Sequence, residues 1–215
     1  MSSIIGHGLS GVISKKCIKT SLPPQKEKWL LFLSIVLAIL PDFDVIVFLI
    51  LKPAGMTPHR GISHSLVFIA MAALFFCIAT FRYFPISKPK LFFIAFCPLL
   101  SHLILDCLMG AGPPVPFFAP VISRGFLFPI KLLPCAYYST SGAGLLKLVT
   151  HAPTLIGVVM ELFIFVPLIV FLGICGDDKN KRLIKTVSLI ISILAVLITF
   201  YLYNDAYLFG SSHHA

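Results

Sequence analysis

Long apolar runs separated by short basic clusters set the rhythm of this chain of 215 residues. A helix needs roughly twenty mostly apolar residues to cross a bilayer. Five stretches reach that length: Trp29–Leu51, Ile62–Tyr83, Leu91–Gly110, Leu155–Cys175 and Leu183–Tyr203. A weaker segment, Ser3–Ser14, spans only if it continues to about Cys17, and its Gly6, Gly8 and Gly11 permit tight packing on a neighbour. The pattern predicts an all-α polytopic transmembrane helical bundle, five long spans plus a short N-terminal helix. It reads as one membrane-embedded domain over 1–215, with a motif-bearing core at about 3–130, an outer cap-like loop 111–154 and the last two spans at 155–203. The loop is too apolar for a solvated linker (Pro113, Pro114, Pro116, Phe117, Phe118, Phe126, Phe128), so it is expected at the interface or folded over the bundle.

Composition sharpens the class. With 58% hydrophobic residues, 12% charged and a mean hydropathy of +1.00, the chain is excluded from the soluble globular proteins. A formal charge of +9 resembles a nucleic-acid footprint, but the cations sit in clusters between spans, so no nucleic acid is expected as a partner. They are topology signals. Lys15, Lys16, Lys19, Lys26, Lys28, Arg82, Lys88, Lys90, Lys179, Lys181, Arg182 and Lys185 fall on one set of sides, against Lys52, Arg60, Arg124, Lys131 and Lys147 on the other. Cytoplasmic loops carry the excess of Lys and Arg, which puts residues 15–28, 84–90 and 176–182 in the cytoplasm and loops 52–61 and 111–154 outside. The six cysteines form no CxxC pair and most lie in apolar runs, so neither a disulfide framework nor a zinc knot is expected. Met1 to Ser14 lacks the basic flank that precedes the apolar core of a cleavable signal, and the segment is read as retained.

An ionisable residue inside a span is costly by a few kcal/mol on insertion scales, so each one asks for a reason. The spans and their outer ends hold Asp42, Asp44, His64, His102, Asp106 and Glu161, with His59 and Arg60 just outside. With the orientation above, they share roughly one depth in the extracytoplasmic half of the membrane. His102 and Asp106 are i,i+4, one turn apart on one helix face, where both can ligate a metal or one can orient the other. Asp42 and Asp44 stand about 200° apart on an ideal helix. They converge only if Pro41 breaks the backbone, or one of them supports the other's ligand set. The segment His59-Arg60-Gly61-Ile62-Ser63-His64 reads as a turn into a helix start that Ser63 or Ser65 caps, with Arg60 offering donors to phosphate or carboxylate.

Three histidines with two or three carboxylates suit Zn, with Mn or Fe as alternatives, as one ion or as two bridged by an Asp. Such a site lowers the pKa of water and needs a carboxylate to take the proton. The motifs His7, Leu40-Pro41-Asp42-Phe43-Asp44, His59-Arg60-Gly61-Ile62-Ser63-His64-Ser65 and Ser101-His102-Leu103-Ile104-Leu105-Asp106 resemble those of the YdjM-type predicted membrane-bound metal-dependent hydrolases, the DUF457 group of inner-membrane proteins. The resemblance covers about residues 3–130. It implies His7, Asp42, Asp44, His59, His64, His102 and Asp106 as metal-site residues, with Arg60 and Ser65 in the same signature. This chain departs in the loop after Asp106, where Val115-Pro116-Phe117-Phe118 stands for the Trp-Pro-Phe block common in such proteins.

The expectation is a metal-dependent hydrolase of the bacterial inner membrane, acting at the extracytoplasmic side on a lipid or lipid-linked (phospho)ester. Asp42, Asp106 or Glu161 would act as base, and Arg60 would neutralise an oxyanion. Glu161 serves equally as a helix-pairing carboxylate, and His151 reads as solvated. Two rivals remain: a transporter or channel for protons or a divalent cation, which would distribute polar groups along the whole depth, and a scaffold whose metal only staples helices.

Overall fold

Pro23 and Pro24 open the first long helix, because a proline at the first helical position gives up an N–H that has no intrahelical partner anyway. The computed structural model describes residues 3–51, 59–109, 112–122, 124–129, 131–133, 152–174 and 178–204. Among them run seven α-helices: α1 (Ile4–Cys17), α2 (Pro24–Ile39), α3 (Phe43–Leu51), α4 (Leu66–Thr80), α5 (Lys88–Leu108), α6 (Ala152–Gly173) and α7 (Lys179–Asn204). The described residues contain no strand, only an isolated antiparallel bridge between Val115 and Phe126. The all-α expectation holds. His151, Cys135, Cys175, most of 134–154 and the tail Ser211–Ala215 lie outside the described residues; Cys17, Cys77 and Cys97 are free thiols.

Among the described residues, four helical stretches are long and apolar enough to cross a membrane: Pro24–Phe48, Lys88–Leu108, Thr154–Gly173 and Lys179–Asn204. The first joins α2 to α3 through a 3-10 turn at Leu40–Asp42, the break that Pro41 predicts. The fifth expected span, Ile62–Tyr83, is where the structure differs. Only Leu66–Thr80 is α-helical there, 15 residues, or about 22 Å at 1.5 Å per residue. Ile62–His64 takes a 3-10 turn instead, and the extended Ser65 caps α4 by accepting from the Phe68 N–H at 3.2 Å. The start of that apolar run serves the site rather than the span.

Contacts divide the chain into two units. The first comprises His7–Leu105 and Pro113–Phe126. Within it α1 lies close on α2: a Cβ added to Gly11 would meet the Ser34 carbonyl oxygen at 2.6 Å and the Ala38 Cβ at 2.9 Å. Only glycine admits that approach. The hydroxyls of Ser10 and Ser101 lie 3.0 Å apart and tie α1 to α5. Helices α4 and α5 run antiparallel, with the Cys77 thiol donating to the Lys88 carbonyl at one end and His64 meeting His102 at the other. Leu30, Ile69, Ala73, Leu91, Ile94 and Leu99 fill the interior, while Ile50 and Phe75 stay outward, as a lipid-facing surface requires. Residues 113–126 fold back on the start of α4, where the Leu66 N–H donates to the Phe117 carbonyl at 2.8 Å.

The second unit comprises Met1–Gly6, Asp106–Gly112 and Leu127–Ala215. Here α6 and α7 pack together, α7 burying the small residues Ser188, Ser192, Ala195 and Thr199. Ser192 and Thr199 return their hydroxyls to carbonyls one turn back, which removes the polar cost of burying them.

Candidate metal centre

Pro41 cannot donate an N–H to the α2 ladder, so the chain tightens into the 3-10 turn that carries Asp42, and α3 restarts with Phe43 and Asp44. Asp42 is buried, and among the described residues neither of its carboxylate oxygens makes a hydrogen bond. A buried carboxylate without hydrogen bonds is expensive and asks for a cation. Around Oδ1 stand the Nε2 atoms of His102 at 3.4 Å, His64 at 3.6 Å and His59 at 3.7 Å, and Oδ2 lies 3.8 Å from Nε2 of His7. The Nε2 atoms of His64 and His102 are 3.1 Å apart, and the His7 ring stacks on His102 with centroids 3.8 Å apart. All four imidazoles are buried.

What the far side of each ring does decides what this convergence means. Nδ1 of His102 lies 2.7 Å from the Ala38 carbonyl, which only accepts, so in the neutral ring that nitrogen carries the proton and Nε2 keeps its lone pair. Nδ1 of His59 donates to Asp44 Oδ1 at 3.1 Å. Nδ1 of His64 lies 2.9 Å from the Ser63 hydroxyl and 3.3 Å from Asp44 Oδ2, and Ser63 in turn donates to that oxygen at 2.8 Å. With Nδ1 engaged on its far side, each of the three neutral rings can turn an Nε2 lone pair toward one carboxylate oxygen. The donor set could therefore hold a metal ion.

The sequence left Asp44 open between ligand and support. It lies on the Nδ1 side of His59 and His64, and also accepts from the Arg60 N–H at 3.1 Å. That last bond holds Arg60 at φ 59°, the left-handed region that a non-glycine residue adopts only under constraint. The constraint sends the buried Arg60 side chain to the Pro113 carbonyl, which accepts from Nη1 at 2.6 Å. In ligand terms, Asp42, His59 and His64 offer atoms within 4.8 Å of one another, as do His7 and His102. Helix α5 runs unbroken past His102, so the buried Asp106 follows one turn later on the same helix face. Pro98 interrupts the ladder earlier in α5, and the Ser101 hydroxyl returns to the Pro98 carbonyl at 2.7 Å.

Glu161 has a partner in the second unit. Ser3 caps α1 by accepting from the Gly6 N–H at 3.0 Å, and donates to Glu161 through its own N–H at 2.9 Å and through its hydroxyl. The contacts of Ser63 with His64 and Asp44, in place of the cap expected of it, and the carbonyls of Ala38 and Pro113 carried no signal in the sequence. Carbonyls carry no sequence signal, and a serine between a glycine turn and a histidine has many uses.

Two comparisons bear on these residues. YbcI, an inner membrane protein of Escherichia coli (strain K12), is 32% identical over 121 residues, 56% of this chain and 68% of that protein. No solved structure matches the chain. The YdjM inner membrane protein family matches residues 1–206, nearly the whole sequence. With its apolar helices and its cluster of buried histidines and aspartates in place, the chain belongs to the YdjM inner membrane protein family, as a multi-pass protein of the inner membrane.

Proposed function

We propose that this protein is a membrane-bound, metal-dependent hydrolase whose centre faces the extracytoplasmic side and acts on a lipid or lipid-linked phosphoester. The observation that carries the reading is the convergence of three imidazole lone pairs on a carboxylate without hydrogen bonds of its own. His59, His64, His102 and Asp42 would hold the ion, with His7 and Asp106 as further ligands on its flanks. Zinc is favoured over manganese or iron because nitrogen donors dominate the set. An ion there supplies Lewis acidity and lowers the pKa of water. The chain supplies the rest. Asp44 keeps the Nδ1 protons of His59 and His64 in place, so both rings present lone pairs, and the Ala38 carbonyl does the same for His102. Asp106, when not ligating, accepts a proton one turn from His102. Arg60, fixed by Asp44 and Pro113, offers the cation that a phosphoester oxyanion needs.

Charge supports the orientation. Arg82, Lys88 and Lys90 gather where α4 ends and α5 begins, and the imidazoles gather where α4 begins and α5 approaches its end. The test is elemental analysis of detergent-purified protein beside His102→Ala, with release of headgroup or phosphate from phospholipids and lipid-linked phosphates. The expected result is about one or two zinc ions per chain in wild type, metal-dependent hydrolysis, and loss of both in the variant with helicity retained. Stoichiometric metal with no hydrolysis of either class would overturn the hydrolase.

One observation favours a second reading: Asp42, His7, His59, His64, His102 and Asp106 are all buried, the condition of a closed site that staples α1, the Pro41 break, the 59–64 turn and α5. Chelation separates the two. A staple loses cooperative unfolding when its metal is removed, whereas an enzyme loses turnover first.

A further inference from the structure

Away from the metal centre, at the opposite end of the first unit, α4 and α5 open a cleft of about 350 Å³ lined by Leu74, Cys77, Ile78, Phe81, Lys88 and Phe92. Apart from Lys88 the walls are apolar, and the mouth is cationic. Lys88 Nζ lies 5.2 Å from the Phe81 ring centroid and Arg82 Cζ lies 5.7 Å from the same ring. Lys26, arriving from α2, donates to the Tyr83 carbonyl at 2.6 Å and sits 4.9 Å over that ring. No carboxylate occurs in residues 81–90, and Glu27, the acid of the adjoining stretch 15–28, is held by Lys15 and Thr20. Two cations, Lys88 and Arg82, therefore stand on the Phe81 ring at one lip with no acid among residues 81–90, above an apolar slot that ends a membrane helix.

This arrangement matches an amphiphile with a net negative head. A basic lip between transmembrane helices attracts anionic headgroups, and the slot accepts hydrocarbon, with Ile78 at 62% exposure along its wall. We propose that the cleft is a binding site for an anionic phospholipid, with an acyl chain along Ile78 and Phe92 and the phosphate between Lys88 and Arg82. A zwitterionic lipid carries the same phosphate but brings its own cation, which opposes the lip. The site is separate from the metal centre: His102 lies fourteen residues from Lys88 on α5, about 21 Å at 1.5 Å per residue. The proposal does not rest on hydrolysis.

The test uses the full chain, delipidated in detergent and titrated by native mass spectrometry with phosphatidylglycerol, phosphatidylcholine of the same acyl chains, and inorganic phosphate. The expected dissociation constant for phosphatidylglycerol is roughly tenfold below that for phosphatidylcholine, a difference of about 1.4 kcal/mol. Lys88→Gln with Arg82→Gln should bring the two lipids level, Lys88→Arg with Arg82→Lys should keep the preference, and Ile78→Trp, which fills the slot, should weaken both. Metal content and elution volume serve as fold controls, and Ile78→Trp keeps the test alive if the charge variant fails to fold. Equal binding of the two lipids in wild type would overturn the proposal. So would competition by inorganic phosphate alone, or a dimer in which a second copy covers the cleft.

Discussion

Lys15, Thr20 and Glu27 at one end of the first unit, and Asp42, His59, His64 and His102 at the other, are both polar clusters wholly or partly withdrawn from water, and they satisfy themselves differently. Lys15 Nζ reaches Glu27 Oε2 at 2.5 Å and the Thr20 hydroxyl at 2.9 Å, so donors meet acceptors directly and nothing is owed to a ligand. At the histidine end, acceptors meet acceptors: lone-pair nitrogens stand 3.4 to 3.7 Å from a carboxylate oxygen, and their protons are committed to Ala38, Ser63 and Asp44. Burial alone therefore does not mark a functional site. A cluster closed by its own hydrogen bonds is a fastener, and a cluster of converging acceptors is a place for a cation.

That contrast can be broken most directly at Asp42. Asp42→Ala should lower metal affinity by more than about 100-fold, because even groups that only support ligands cost 10–100-fold. Competition with a chromophoric chelator measures it, and retention of wild-type affinity would return Asp42 to the fasteners. Asp44→Asn is the next largest effect. It keeps the shape but replaces an acceptor oxygen with a donor opposite the His59 and His64 Nδ1 protons, so affinity should fall about 10–100-fold while the bound stoichiometry stays constant. If the metal ratio drops with it, Asp44 is a ligand after all.

Gly11→Leu probes the scaffold that brings His7 to Asp42. Its Cβ meets the Ser34 carbonyl oxygen at 2.6 Å, so detergent-phase thermal unfolding should report a loss of about 1–3 kcal/mol. His7 should then contribute less to metal binding. The smallest effect belongs to the fastener. Lys15→Met should cost about 1 kcal/mol or less, since the Glu27 side chain is 29% exposed and partly screened. Zinc affinity should not change. Adding Glu27→Gln should recover part of the loss, because the remaining charge no longer lacks a partner. A shift in metal affinity from either change would erase the distinction between the two ends.

Much of the local architecture was legible. The break at Pro41 follows from its missing N–H, the Ser65 cap from its place before an apolar run, and the shared face of His102 and Asp106 from the helical period. The expected span Ile62–Tyr83 came out short because hydropathy counts Gly61, Ile62 and Ser63 only by their side chains. It is blind to Asp44 holding the Arg60 backbone in a left-handed turn just before them. Likewise, an angle of about 200° on an ideal helix left Asp42 and Asp44 either to converge through a break at Pro41 or to divide into a ligand and its support. In the folded chain the two act on opposite nitrogens of the same imidazoles, which the 3-10 turn between them makes possible.

From sequence alone the chain had to be a helical membrane protein with costly polar residues in and beside its spans, because transfer free energies sum along a segment and covalent geometry fixes the helical period. Which ring nitrogen keeps its lone pair, and whether a buried carboxylate ligates or merely steadies a ligand, depended on partners as remote as Ala38 is from His102. Those contacts are made only when separate segments pack, and hydrogen-bond direction at each ring is settled by the neighbour on its far side.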